Sequence, residues 1–239
     1  MSEIALSGGN VTREVVRAGD TVRRTSNARS GFVARVLTYL ENAGYRCAPR
    51  HLGADDQGRD VFTFIAGRTT DHPDQRAPGA YAMGGLMLRE LHDLTAGHEL
   101  AGDRECVIHG DAGPFNTIFQ DGLPVAFIDW DSCRPGDRID DLGYLAWTWC
   151  VQSQGRVPIR EQARHLRELR DGYGEVEAGA LIRAIVRRQS DVAEAEGAHL
   201  RDPSRSPDRR RHAEWAVAWA NADRRWVERH ETLFRAALE

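Results

Sequence analysis

The period of the apolar positions changes along the chain. Val11 to Arg17 is a strand-like run, Ala18-Gly19-Asp20 is a turn signal, and Thr21 to Arg24 resumes the strand, so residues 4 to 24 read as β structure. Over 29 to 43 the spacing becomes helical. Phe32, Val33, Val36, Leu37 and Leu40 share one face, and Gly44 follows as a stop. Cys47 to Leu52 and Val61 to Ile65 read as two further strands around Asp55-Asp56-Gln57-Gly58. The N-terminal third is thus β-β-β-α-β-β, a small unit ending near residue 66.

Beyond it helices dominate. The pattern predicts helices over 79–96, 140–151, 160–172, 176–198 and 212–238. In the first, Tyr81, Met83, Leu86, Met87, Leu91 and Leu94 are the expected core. The last carries Trp215, Trp219, Trp226, Leu233 and Phe234 as a packing stripe. Between them, the apolar runs CVIHGD and VAFIDWD (106–111 and 125–131) read as short strands around a loop. The arginine-rich stretch 201–212 reads as a solvated loop, with an anion or partner docking patch as the sharper alternative. This division gives two units, 1–66 and 67–239.

Composition narrows the classes. The 239 residues carry a formal charge of −4, against the basic excess expected of a general nucleic-acid binder. No apolar run approaches a membrane span, and MSEIALSGG lacks the features of a secretory signal. Cys47, Cys106, Cys133 and Cys150 form no CxxC pair, consistent with reduced thiols in a cytoplasmic protein. All 32 basic residues are arginine, so chemistry that needs a lysine amine is excluded.

The segment Ile108-His109-Gly110-Asp111-Ala112-Gly113-Pro114-Phe115-Asn116, followed by Phe127-Ile128-Asp129-Trp130-Asp131, carries the chemistry. Phosphoryl transfer requires a carboxylate to orient and deprotonate a hydroxyl, and oxygen ligands for Mg²⁺. Asp111 can supply the first; Asn116 and Asp129 can supply the second. The pattern HGDxxxxN, with IDWD placing an aspartate thirteen residues after the asparagine, is far more specific than an isolated HGD.

This segment resembles the catalytic core of the aminoglycoside phosphotransferase and choline kinase family. Among its members, short bacterial chains of the trifolitoxin-immunity kind look most similar. The resemblance implies an α+β, protein-kinase-like fold: a reduced β-rich N-terminal lobe and a mainly helical C-terminal lobe. It implies an ATP- and Mg²⁺-dependent transfer to a hydroxyl of a small molecule, with GTP as the alternative nucleotide and an aminoglycoside as one candidate acceptor. Asp111 would be the base, His109 would support the catalytic loop, and Asn116 and Asp129 would hold the metal. Asp131 would touch metal-bound water or substrate, or be a surface acid. Asp141 would tie the next helix to the loop. Ser7, Gly8, Gly9 and Asn10 occupy the place of the phosphate-covering loop, and Phe64 and Ile65 lie in the hinge that meets the base. Arg23 or Arg24 stands where the family has a lysine; strand alternation favours Arg24.

Three features depart from the family pattern. Arginine replaces the lysine. The helix over Ser30 to Asn42 offers no glutamate before Glu41. Few residues separate the hinge from Asp111. A non-catalytic immunity or binding protein, or a pseudokinase, is therefore the alternative reading. A polycationic acceptor would use Asp131, Asp137, Asp140, Glu161, Glu168 and Asp171. A choline-like one would use an aromatic cage from Trp130, Tyr144, Trp147 and Trp149; solvated helix surface accounts equally for the acids, and core packing at least as well for the aromatics.

Overall fold

The computed structural model describes residues 3–6 and 15–239. An antiparallel five-stranded sheet opens the chain. Its strands are β1 (Ile4–Ala5), β2 (Val16–Ala18), β3 (Thr21–Thr25), β4 (His51–Ala54) and β5 (Arg59–Thr63), in the order β1-β2-β3-β5-β4. Helix α1 (Ser30–Asn42) is inserted between β3 and β4. It buries Val33, Val36, Leu37 and Leu40, as the helical spacing requires. The register pairs Arg24 with Asp60 and Arg23 with Val61. Successive residues of β3 therefore face opposite sides of the sheet.

The second lobe is built on α2 (Ala80–Thr95), α3 (Arg138–Cys150), α4 (Ile159–Tyr173), α5 (Ala178–Arg201), α6 (Pro207–Arg229) and α7 (Glu231–Leu238). The short strands β6 (Cys106–Ile108), β7 (Thr117–Gln120), β8 (Leu123–Phe127) and β9 (Arg134–Gly136) lie at its edge. One hydrophobic cluster joins the lobes, running from α1 through α2 and β8 to α3, α5 and α7.

Several sequence expectations change here. The two apolar runs around the loop do not pair with each other. β6 pairs with β9, a strand the pattern does not reveal because Arg134-Pro135-Gly136 has no apolar alternation; β8 pairs with β7. Met83 and Leu86 are exposed rather than core. The face of α2 that packs inward is the one bearing Gly84 and Gly85. A Cβ on Gly85 would stand 2.2 Å from the Leu169 carbonyl oxygen, and one on Gly172 would stand 2.0 Å from that of Ala82. Helices α2 and α4 meet backbone to backbone, which only small residues permit.

The expected loop over 201–212 shrinks, because α6 begins at Pro207. Ser206 caps this helix by accepting the Arg209 N–H. The expected single helix over 212–238 breaks at His230, whose backbone N–H caps the end of α6. Trp219 and Trp226 pack against the core as expected. Trp215 is 56% exposed and stacks on Trp219, which stacks on buried Trp147. All four cysteines are free thiols.

Candidate functional site

The residues of the HGD loop hang from the end of β6. Gly110 has φ of +80°, and a Cβ there would stand 2.6 Å from both the Ser132 carbonyl oxygen and Arg134 Nη1. Glycine is required by the turn and by the approach of β9. Asp141, in the first turn of α3, accepts the His109 N–H at 2.7 Å and the Gly110 N–H at 2.8 Å. It also meets His92 Nε2 at 3.2 Å. Burial alone would raise its pKa, but the His92 hydrogen bond and charge and the Gly110 N–H leave it below the ordinary value. This is the tie between helix and loop that the resemblance implied.

His109 is fully buried. Its Nε2 lies 3.1 Å from the Ile128 carbonyl oxygen, and its Nδ1 lies 3.3 Å from the Asp111 N–H. Both contacts are satisfied by a neutral ring that donates from Nε2. Burial pushes its pKa down to about 4. It therefore holds the Asp111 loop against the β8 turn and touches no reacting position. It is a positioning residue.

Asp111 is held through both carboxylate oxygens. Oδ1 accepts the Tyr144 hydroxyl at 2.5 Å, and Oδ2 accepts Asn116 Nδ2 at 2.9 Å. Burial pushes its pKa up to about 6; Tyr144, Asn116 and Arg188 oppose that rise, and Asp129 adds to it. Asn116 ends a short 3-10 turn begun by Pro114. Its carbonyl accepts the Ile128 N–H at 2.8 Å, so the β7–β8 hairpin brings Asn116 beside the residue preceding Asp129.

Asp129 has left-handed backbone geometry (φ 59°, ψ 63°), a strained conformation for a non-glycine residue. Its carboxylate is raised above the ordinary value by partial burial and by Asp131, against the pull of Arg24. Arg24 joins the two: Nη1 lies 3.2 Å from Asp129 Oδ1, and Nη2 lies 2.5 Å from Asp131 Oδ1. The guanidinium is buried and lies over the Phe62 ring. Asn27 also donates to Asp131 at 3.1 Å.

Of the two candidate arginines, Arg24 faces the cleft. Arg23 turns to Glu3 and Asp55. Glu41 pairs with Arg50, so the helix supplies no partner to Arg24; the aspartates take that place. In the hinge, the Phe64 N–H is taken by the Asp20 carbonyl at 2.8 Å, and Arg17 lies over the Phe64 ring. Ile65 is half-buried beside it. Ser7, Gly8, Gly9 and Asn10 lie outside the described residues.

Of the open readings for the acidic and aromatic candidates, surface pairing and core packing are the ones the structure takes. Asp137, Asp140, Glu168 and Asp171 pair with Arg104, Arg187, Arg164 and Arg170, and Glu161 lies 3.7 Å from Arg164. These carboxylates are neutralised on the surface. Trp130, Trp147 and Trp149 are fully buried core, so they present no cage. Sequence reasoning missed the contact of Tyr144 with Asp111. Its signal was the spacing from Asp141, three residues earlier on one helix face. The approach of Arg134 and Arg188 to Gly110 had no local signal.

Residues 95–176 match the model of the phosphotransferase enzyme family. The trifolitoxin immunity protein of Rhizobium leguminosarum bv. trifolii is 30% identical, over 99% of this chain and 98% of its own length. A choline/ethanolamine kinase family protein from Mesorhizobium loti superposes with a TM-score of 0.66 at 20% identity, covering 99% of this chain and 93% of its own. An ethanolamine kinase of Plasmodium vivax gives 0.65 at 13% identity, covering 92% and 81%. The structural likenesses carry the fold. With the full-length likeness and the HGDxxxxN–IDWD site, they lead to one assignment: the chain belongs to the phosphotransferase enzyme family, on its protein-kinase-like fold, together with the trifolitoxin immunity protein.

Proposed function

We propose that this chain is an immunity-type binding protein on a phosphotransferase fold, protecting its host by holding a toxic small molecule in the cleft beside Asp111 without phosphorylating it. One observation carries the reading: the groups that phosphoryl transfer would use are already engaged with each other. Arg24 bridges Asp129 and Asp131, while Tyr144 and Asn116 take both oxygens of Asp111. Each Asp111 oxygen keeps a further lone pair, but the Tyr144 and Asn116 donors draw on the basicity a proton acceptor needs. The Arg24 guanidinium competes with Mg²⁺ for the charge of Asp129, although it engages only Oδ1. The full-length likeness to an immunity protein supports the same reading. On this view 1–66 is a lobe that closes the cleft and 67–239 the lobe that holds the ligand.

A second reading, an ATP- and Mg²⁺-dependent phosphotransferase, is favoured by a different observation. Asp111 is pushed up to about 6, close to the pKa that suits a base at neutral pH. Among the described residues no three His, Cys, Asp or Glu side chains form a metal cage, but Mg²⁺ needs only one or two protein oxygens plus phosphates. Asn116 Nδ2 is spent on Asp111, which leaves its Oδ1 for a cation; Asp129 Oδ2 is the second donor. The donor set fits. When bound, the ion would neutralise the phosphate charge of ATP or GTP.

The deciding experiment is protection of a sensitive host against trifolitoxin and aminoglycosides by the wild type and by Asp111→Asn. Protection that survives the substitution supports binding. Protection that vanishes, while the variant folds and Mg²⁺-dependent ATP binding is seen by calorimetry in the wild type and weakened by Asp129→Asn, establishes the kinase instead.

A further inference from the structure

Several arginines elsewhere in the molecule find carboxylates, as Arg138 meets Asp93, Arg187 meets Asp140 and Arg209 meets Glu196, while Arg17 and Arg76 end on the Gly19 and Trp149 carbonyls. Three around the Asp111 loop also end on backbone carbonyls. Arg134, at the start of β9, places Nη1 3.1 Å from the Ser132 carbonyl oxygen and against the bare Cα of Gly110. Arg188, from α5, reaches the opposite side, with Nη2 3.5 Å from the Gly110 carbonyl oxygen and its guanidinium over the Tyr144 ring. Arg29, just before α1, donates to the Cys133 carbonyl.

Among the described residues, one of the three has a carboxylate in reach, and that pair is long and at the surface. Asp191 lies 3.7 Å from Arg188 Nη1 and is half exposed. Asp140 is taken by Arg187, Asp141 by the loop N–H groups and His92, and Asp111 by Tyr144 and Asn116. Among the described residues, neither Arg29 nor Arg134 has a carboxylate within 4.0 Å. Arg188 is 15% exposed, and its Nε has neither solvent nor a hydrogen-bond partner. Burial and the charges of Arg188 and Arg29 depress Arg134 below the ordinary arginine value. A carbonyl satisfies an N–H but leaves the cation's charge uncompensated, and a partly buried pair of guanidinium groups, Arg134 and Arg188, with exposed Arg29 at its edge, favours a carboxylate or phosphate.

We propose that Arg29, Arg134 and Arg188 form a subsite for an anionic group, a carboxylate or phosphate ester, on the molecule held beside Asp111. The inference rests on the reading that this cleft holds a small molecule. It makes that ligand anionic at one end rather than polycationic. The anion sits at Gly110, between β9 and α5, and the rest of the ligand extends toward Tyr144.

The test is calorimetric titration of the full chain with inorganic phosphate and, separately, succinate, which distinguishes phosphate from carboxylate; spermidine serves as the polycation. Saturable binding of either anion is expected, weakened about tenfold or more in Arg134→Gln and in Arg188→Gln. Arg134 is half exposed, so its variant carries the test if Arg188→Gln fails to fold. Three results overturn the proposal. These are no saturable binding of either anion, binding unchanged in both variants, and binding lost in Arg24→Gln alone, which would place the anion against Asp129. Failure to protect a host with the titration intact would overturn the immunity reading and leave this subsite standing.

Discussion

The two sides of the cleft are built in opposite ways. On the helical side, His109, Gly110, Asp111, Asn116 and Asp141 form a hydrogen-bond network in which the Asp141 carboxylate answers two backbone N–H groups and the Asp111 carboxylate a side-chain amide. On the sheet side, the corresponding position is held by charge: Arg24 reaches across to Asp129 and Asp131, and Asn27 adds to the bridge. The first arrangement lies within residues 109–141 and is buried at His109, Gly110 and Asp141. The second joins residues about a hundred positions apart, with the two carboxylates 38% and 31% exposed. The helical side is therefore a fixed scaffold, and the sheet side is a latch whose strength depends on solvent and on whatever ligand competes for it.

Asp141→Ala strikes the scaffold hardest. It leaves the His109 and Gly110 N–H groups unpartnered in the core, and urea unfolding should show a loss of about 3–5 kcal/mol. A loss below about 1 kcal/mol would show that the network is not the scaffold described.

Asp111→Asn acts in the other direction. The Asp111 pKa is about 6 in the folded chain against about 3.9 unfolded, so the folded state binds more protons between those values. Wild-type stability from this group is highest near pH 4 and falls as pH rises through 6. Replacing the carboxylate removes that cost. At pH 7 the variant should be more stable by up to about 3 kcal/mol, with the gain gone near pH 4. Thermal unfolding at the two pH values reads this directly, and a variant less stable at both would refute it.

Arg24→Ala opens the latch. Because the two aspartates keep some solvent, the expected cost is about 1–2 kcal/mol, smaller than that of Asp141→Ala. The Asp129 pKa should move further up, as an NMR titration of its carboxylate would report. A loss equal to that of Asp141→Ala would erase the contrast between the two sides. At the far end of the scale, Arg211→Ala removes an exposed pair with Asp208 and should change stability by less than about 0.5 kcal/mol.

The helical side was legible in the sequence because its parts lie close together. The spacing from Asp111 to Asn116 and on to Asp129 carried the site, and Asp141 appeared as the residue opening the next helix. Alternation along β3 was enough to choose Arg24 over Arg23. Less was legible where packing reverses a local rule. Met83 and Leu86 looked like core and are exposed, because the glycine face of α2 is the one that lets α4 approach. Trp130, Trp147 and Trp149 could have been a cage or a core by composition, and burial decides for core. The acidic side chains proposed for a cationic acceptor proved to be matched to arginines on neighbouring turns or elements.

By itself, the sequence determined the α+β order of most elements, the glycine-dependent HGD loop and the acids around it. Those depend on local periodicity, turn chemistry and short spacings. Only the tertiary structure decided that Arg24 bridges Asp129 and Asp131, that Tyr144 covers Asp111, and that Arg134 and Arg188 converge on Gly110 from two elements. Such contacts form between residues far apart in the chain, and their energies depend on burial and distance, which no spacing along the sequence encodes.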